Sequence, residues 1–150
     1  MSVIVHASEL RRTSNTGYLV SRALVGARLW LHDEALPRAC LDGALLLVPG
    51  AARELSPGDR GRPLVFLDGS WRQTRRMFRK LEPLRRATPT RLPEGAACEH
   101  RLRRATVRGG LATLEAAARA LGLVEGAAHE RALMGLMDSL VERMRRLRGF

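Results

Sequence analysis

Apolar residues along the chain fall into two kinds of run. Val3-Ile4-Val5 is a short β-branched stretch that ends at His6. Ala44-Leu45-Leu46-Leu47-Val48 is continuously apolar and is closed by Pro49-Gly50. Leu64-Val65-Phe66-Leu67 follows Pro63 and is closed by Asp68-Gly69. Uniformly apolar runs between turn residues predict central strands of a parallel sheet, covered on both faces. Residues 28–31 read as a further short strand. Elsewhere the apolar positions recur at three- and four-residue spacing. Leu19, Val20, Ala23 and Leu24 mark one face of a helix for which Ser14 or Asn15 is the cap. Trp71, Thr74, Met77, Phe78 and Leu81 predict a helix over 70–81, ended by Pro83. Another helix is predicted over 113–121, with Gly122 as its stop. The last is predicted over 127–147, with Leu133, Leu136, Met137, Leu140, Val141, Met144 and Leu147 as its stripe. Residues 51–62 contain Ser56-Pro57-Gly58-Asp59 and Gly61, and read as loop. Residues 88–93 and 100–104 read as short extended pieces, and 108–110 as a turn. Strands alternating with helices predict an α/β fold. Neither a repeat nor a composition break divides the chain, so 1–150 is expected to be one domain.

Composition adds the charge. The 150 residues carry 26 Lys plus Arg against 15 Asp plus Glu, a formal net charge of +11. Lys80 is the sole lysine; the other cations are arginines. That surplus favours a polyanionic partner, most simply a nucleic acid. Arginine in particular suits bidentate phosphate contacts and stacking on bases. No apolar stretch approaches the roughly 20 residues of a membrane helix. The N-terminus lacks the basic-then-apolar pattern of a secretory signal, so a cytoplasmic protein is expected. Cys40 and Cys98 stand alone and form neither a metal spacing nor a disulfide framework. The four histidines show no paired ligand spacing, so no metal is expected.

Candidate chemistry lies in the loops after the predicted strands, where open α/β sheets bind ligands. Three stand out: Val48-Pro49-Gly50, Leu67-Asp68-Gly69-Ser70-Trp71, and the stretch over 108–115. None is a dinucleotide or P-loop fingerprint. Asp68 follows an apolar strand and precedes a helix. It reads as a general base, as a ligand for an amine, or as a helix cap. Trp71 reads as core or as a stacking platform. Arg72, Arg75, Arg76 and Arg79 share a helix face that suits phosphates or plain solvent. His6, Ser8, Glu9 and Ser14-Asn15-Thr16 cluster after the first strand. They line a site or brace a polar helix start.

These same blocks resemble the DTW-domain family. Leu67-Asp68-Gly69-Ser70-Trp71-Arg72-Gln73 is similar to its signature, with Ser70 where the family usually has Thr. His6-Ala7-Ser8-Glu9 and Ser14-Asn15-Thr16-Gly17 resemble its early His-Pro-x-Glu and Asn-Thr pattern, with Ala7 in place of Pro. Arg101-Leu102-Arg103-Arg104 and Gly110-Leu111-Ala112-Thr113-Leu114-Glu115-Ala116 resemble its late blocks. The resemblance implies a SPOUT-like, mostly parallel sheet flanked by helices, with a C-terminal trefoil knot. It implies transfer of the 3-amino-3-carboxypropyl group of S-adenosylmethionine to N3 of a uridine in tRNA. The alternatives are a knotted RNA methyltransferase and a non-catalytic RNA-binding module.

Carried onto this sequence, the resemblance puts Asp68 and Trp71 in the catalytic role. Pro49, Leu67, Gly69, Ser70, Gly110, Leu111 and Thr113 become the cofactor loops. Arg72, Arg75, Arg76, Arg101, Arg103 and Arg104 become the RNA contacts, with His6, Glu9 and Asn15 lining the site. Asp68 either accepts the uridine N3 proton or holds the cofactor's ammonium. Many members carry a Cys-rich, zinc-like segment before the His-Pro-x-Glu block. This chain begins almost at that block, so no metal is implied. Knotted relatives often pair, and the last helix offers an apolar face for an oligomer.

Overall fold

The computed structural model describes residues 1–95 and 111–147. Within them lie six strands: β1 (Ser2–Val5), β2 (Arg28–Leu31), β3 (Leu45–Leu47), β4 (Arg53–Glu54), β5 (Leu64–Asp68) and β6 (Thr88–Arg91). They form one sheet in the order β2-β1-β5-β3-β6-β4. Every pairing is parallel. The described helices are α1 (Thr16–Ala23), α2 (Trp71–Lys80), α3 (Thr113–Val124) and α4 (Ala127–Leu147).

Strand alternation divides the core into two layers. Val3, Leu45, Leu47, Leu64 and Phe66 face one side, against Val20 of α1, Leu114 and Ala118 of α3, and Met137 of α4. Ile4, Leu46 and Val65 face the other, against Met77 of α2 and Leu84. The continuous apolar runs therefore serve both faces of the sheet, which is why they carry no polar alternation. The topology follows from the same division. From β1 the chain passes through α1 to β2 on one side; from β5 it passes through α2 to β6 on the other. Right-handed crossovers running in opposite directions put their helices on opposite faces. The carboxyl ends of β1 and β5 are thus the switch point of the sheet, where folds of this kind bind ligands.

Two elements depart from the sequence-based expectation. The predicted loop over 51–62 contains β4 and a 3-10 turn at Pro57–Asp59. Polar contacts hold this edge. Arg91 on β6 donates to Glu54 at 2.6 Å and to the carbonyl of Ala52 at 2.8 Å. The buried Asp59 carboxylate pairs with Arg53 and Arg62, and accepts from the Ser56 backbone N–H at 3.0 Å. The Arg53 hydrogen bond, chiefly, holds its carboxyl below the usual carboxylate range. The second departure is Gly122. It does not stop α3, which runs on to Val124; the turn into α4 comes at Gly126, with φ +115°. Gly122 instead lets the two helices approach. A Cβ there would lie 2.8 Å from the Cβ of Glu130. The expected trefoil knot depends on the connection between β6 and α3, most of which, residues 96–110, lies outside the described residues.

Gly122→Ala tests the close approach. An exposed Gly→Ala change inside a helix gains up to about 1 kcal/mol. Here the clash reverses the sign, and urea unfolding is expected to show a loss of roughly 1–3 kcal/mol.

Candidate functional site

Asp68 ends β5, and strand alternation turns it toward the α1 and α3 layer, one residue after Leu67 faces α2. Its Oδ1 accepts a hydrogen bond from the Thr113 hydroxyl, at the first residue of α3, at 2.6 Å. Its Oδ2 lies so close to Gly17 that a Cβ on Gly17 would be 2.7 Å away. Gly17 therefore has no room for a side chain. The Asp68 carbonyl accepts from the His6 N–H at 2.9 Å, continuing the β1–β5 ladder. One residue thus ties together β1, β5, the start of α1 and the start of α3.

Capping α2 falls to Ser70, not Asp68. The Ser70 hydroxyl accepts from the Gln73 N–H at 3.4 Å, and the Gln73 side-chain oxygen accepts from the Ser70 N–H at 2.6 Å. This reciprocal pair is a capping box. Asp68 is still in the strand, two residues too early to cap. The box also explains why Ser can stand where Thr is usual. The cap needs only the hydroxyl oxygen, and Ser serves at least as well as Thr.

On the α2 side of the same edge, Gln73 reaches across to β1. Its Nε2 donates to Ser8 Oγ at 2.9 Å and to His6 Nδ1 at 3.2 Å. The His6 and His32 rings stack, with centroids 4.3 Å apart and planes 17° from parallel. Together with Gln73, Arg76 and Lys80 they line a cleft of about 350 Å³. Burial, then the facing His32, holds the His6 pKa below its ordinary value.

The sequence-predicted residues separate into groups. Asp68 and Thr113 meet at the carboxyl edge, Leu67 precedes Asp68 in β5 but faces the α2 layer, and the exposed Pro49 lies in the turn just after β3. Leu111, half-buried, leads into α3. Gly69 sits under the start of α2, where a Cβ would be 3.1 Å from the Gln73 Cβ. Ser70 commits its N–H and its hydroxyl to the cap. Trp71 is 37 % exposed at the first residue of α2. Arg72, Arg75, Arg76 and Arg79 are all exposed on α2, and Arg76 also lines the cleft.

Glu9 and Asn15 brace the start of α1. Glu9 is buried and pairs with Arg12 at 3.4 Å. Asn15 donates to the Glu9 carbonyl at 2.9 Å and caps α1 through the Tyr18 N–H at 2.8 Å. Arg101, Arg103, Arg104 and Gly110 lie outside the described residues. Sequence reasoning missed Gly17, His32, Gln73 and Lys80 as site residues. Gln73 was within reach, because the spacing Ser70-x-x-Gln73 is that of a capping box. Among the described residues no three of His, Cys, Asp and Glu gather as metal ligands, and no helix is long and apolar enough to cross a membrane.

The fold is that of a doubly wound α/β protein, with the Asp68 contacts at its switch point. The family model of the DTW domain matches residues 1–145. The chain belongs to the DTW-domain family. Among solved structures it is similar to the SAM-dependent rRNA:acp-transferase Tsr3 from Vulcanisaeta distributa, with a TM-score of 0.65 and 21 % identity. That similarity covers 97 % of this chain and 78 % of the Tsr3 chain. No curated protein sequence matches the chain.

The lowered His6 pKa has a measurable consequence. Below the ordinary value of 6.5 the unfolded chain takes up this proton first, so stability falls as the pH drops through that value. Urea unfolding at about pH 8 and about pH 5 is expected to show that loss, and His6→Asn to diminish it.

Proposed function

We propose that this chain transfers the 3-amino-3-carboxypropyl group of S-adenosylmethionine to a base in RNA, and specifically to N3 of a uridine in tRNA. The observation that supports it most is the position of the family signature. Asp68-Gly69-Ser70-Trp71 sits at the carboxyl end of β5, on the switch point of a fold like that of a SAM-dependent rRNA:acp-transferase. That neighbour is described as acting on rRNA, so the acceptor is a variable of the test.

The residues at the edge fit the donor. S-adenosylmethionine supplies a γ-carbon activated by the adjacent sulfonium, with methylthioadenosine as the leaving group. Pro49 and Leu111 offer apolar surface and Leu67 its backbone for its nucleoside, and Gly69 and Gly110 complete those loops in sequence. The Asp68 carboxylate, held in place in part by Thr113, is the anionic group at this edge that matches the ammonium of the donor. Of its two candidate roles we adopt the holding of the ammonium. Asp68 is clamped by Thr113 and Gly17, which suits orienting a ligand better than shuttling a proton. Trp71, partly exposed beside it, offers a ring for the extruded base. Arg72, Arg75 and Arg76 contact phosphates, and the family resemblance adds Arg101, Arg103 and Arg104 as further phosphate contacts.

Carboxyl-labelled and methyl-labelled S-adenosylmethionine are each incubated with tRNA and with rRNA lacking the modification. Carboxyl label is expected to enter tRNA, and Asp68→Asn to slow it by on the order of 100-fold or more. Label entering rRNA alone moves the acceptor and keeps the transfer. Methyl label instead identifies a knotted methyltransferase. No label with either donor, alongside salt-sensitive RNA binding, identifies a binding module.

A further inference from the structure

The cleft beside α2 is not lined by Asp68, and His6 and Asp68 face opposite layers of the sheet. We infer that it seats one phosphodiester-linked nucleotide of the RNA substrate, with Arg76 and Lys80 on the phosphate and the His6–His32 pair beside it. The identity of the ligand as RNA rests on the function proposed above.

The hydrogen-bond wiring defines what the histidines present. The Ser70 N–H can only donate, so the Gln73 atom that accepts from it at 2.6 Å is the amide oxygen. The other amide atom, Nε2, is then a donor, and it meets His6 Nδ1 at 3.2 Å. The Ser8 N–H also donates to that nitrogen, at 3.4 Å. His6 Nδ1 is therefore an acceptor, and the proton of the neutral ring lies on Nε2. His32 is set the same way, since its Nδ1 accepts from the Ala7 N–H at 3.3 Å. Both rings keep an Nε2–H to donate.

The cations point to the same ligand. Helix α2 reads Trp-Arg-Gln-Thr-Arg-Arg-Met-Phe-Arg-Lys and contains no acid. Arg76 and Lys80 are one turn apart on it, both exposed, with no ion pair among the described residues. Like charges at this spacing cost folding energy, so an external anion relieves them. One carboxylate, Asp33, also lines the cleft, and it lies 4.0 Å from His32 Nδ1. The remaining polar groups are two cations, the two imidazoles and the Gln73 amide. Met77 and Leu81 supply an apolar wall. A mostly donor-lined cleft of about 350 Å³ is at the small end of ligand-sized sites and matches a phosphate with its sugar. The same cations repel the sulfonium and ammonium of S-adenosylmethionine. Its carboxylate is the competing anion, and the experiment separates the two.

The full chain is titrated with a short uridine-containing single-stranded RNA across a salt series, and separately with S-adenosylmethionine. Arg76→Ala/Lys80→Ala is compared with Arg131→Ala/Arg143→Ala, which removes equal charge from exposed positions on α4. All four sites are helical and exposed, so alanine leaves the fold intact. The cleft pair is expected to weaken RNA binding about tenfold or more and to lower the salt slope by about 1. The α4 pair is expected to do much less, and neither to change S-adenosylmethionine affinity. In a parallel NMR titration the ring signals of His6 and His32 are expected to move on adding RNA. Equal losses from both pairs, or ring signals that stay still, overturn the proposal. So does loss of S-adenosylmethionine binding with RNA binding retained. Absence of label transfer by the wild type would remove the proposed reaction and leave this RNA result readable on its own.

Discussion

The Asp68 carboxylate is wedged between two helix starts, and the carboxyl edge of the sheet is organised around that contact. Thr113 at the head of α3 donates to it, and Gly17 at the head of α1 makes room for it. Its own carbonyl takes the His6 N–H, so the β1–β5 pairing runs into the same residue. A parallel sheet needs long crossovers, and their helices must end up packed against the strands that launch them. Here the packing is locked by a short polar contact at the open end of the sheet. The apolar layers below are close-packed but their attraction is non-directional, whereas a carboxylate and a hydroxyl meet only at a defined distance and angle.

Much of this architecture is visible in the sequence, for physical reasons that differ by element. β1, β3 and β5 are buried on both faces, so their runs are apolar without interruption and announce themselves. The helices show their faces at helical spacing, and α4 spans Ala127–Leu147, the range predicted for it. β4 leaves no such mark. It is a two-residue edge strand held by Arg91, Glu54 and the Asp59 cluster, and charged residues at an edge look the same as a solvated loop. Gly122 misleads for a related reason. A glycine near a helix end reads as a terminator, but its actual constraint is the neighbouring helix, which sequence spacing does not encode. At the site, Asp68 is conspicuous from its place after a strand. Its partners Gly17 and Thr113 are 51 and 45 positions away, and such long-range contacts have no local signature.

The signature also shows how few residues are needed to serve two faces. Because side chains alternate along a strand, Leu67 and Asp68 turn to opposite layers. The next residues then build the start of α2, where the cap of Ser70 and Gln73 fixes the entry of that helix. Gln73 does double duty: one end of its amide closes the cap and the other orients His6. A change at Ser70 therefore acts at a distance. Removing its hydroxyl loosens the first turn of α2, and with it the amide that sets which nitrogen of His6 bears the proton.

On the proposed function this division has a chemical use. A transferase must hold donor and acceptor in separate seats and bring them together at one atom. A donor seat in the α1 and α3 layer and an acceptor seat against α2 lie on opposite faces of the sheet. They can meet only beyond its carboxyl edge, where β1 and β5 end side by side. Trp71 stands at that edge, partly exposed, between Asp68 and the arginines of α2. The charge distribution supports the same assignment. Carboxylate Asp68 faces the seat of a cationic donor, and Arg76 and Lys80 of α2 line the seat of an anionic acceptor. Each ligand is drawn to its own side by the sign of its charge, which opposes binding in the wrong seat before any shape is read.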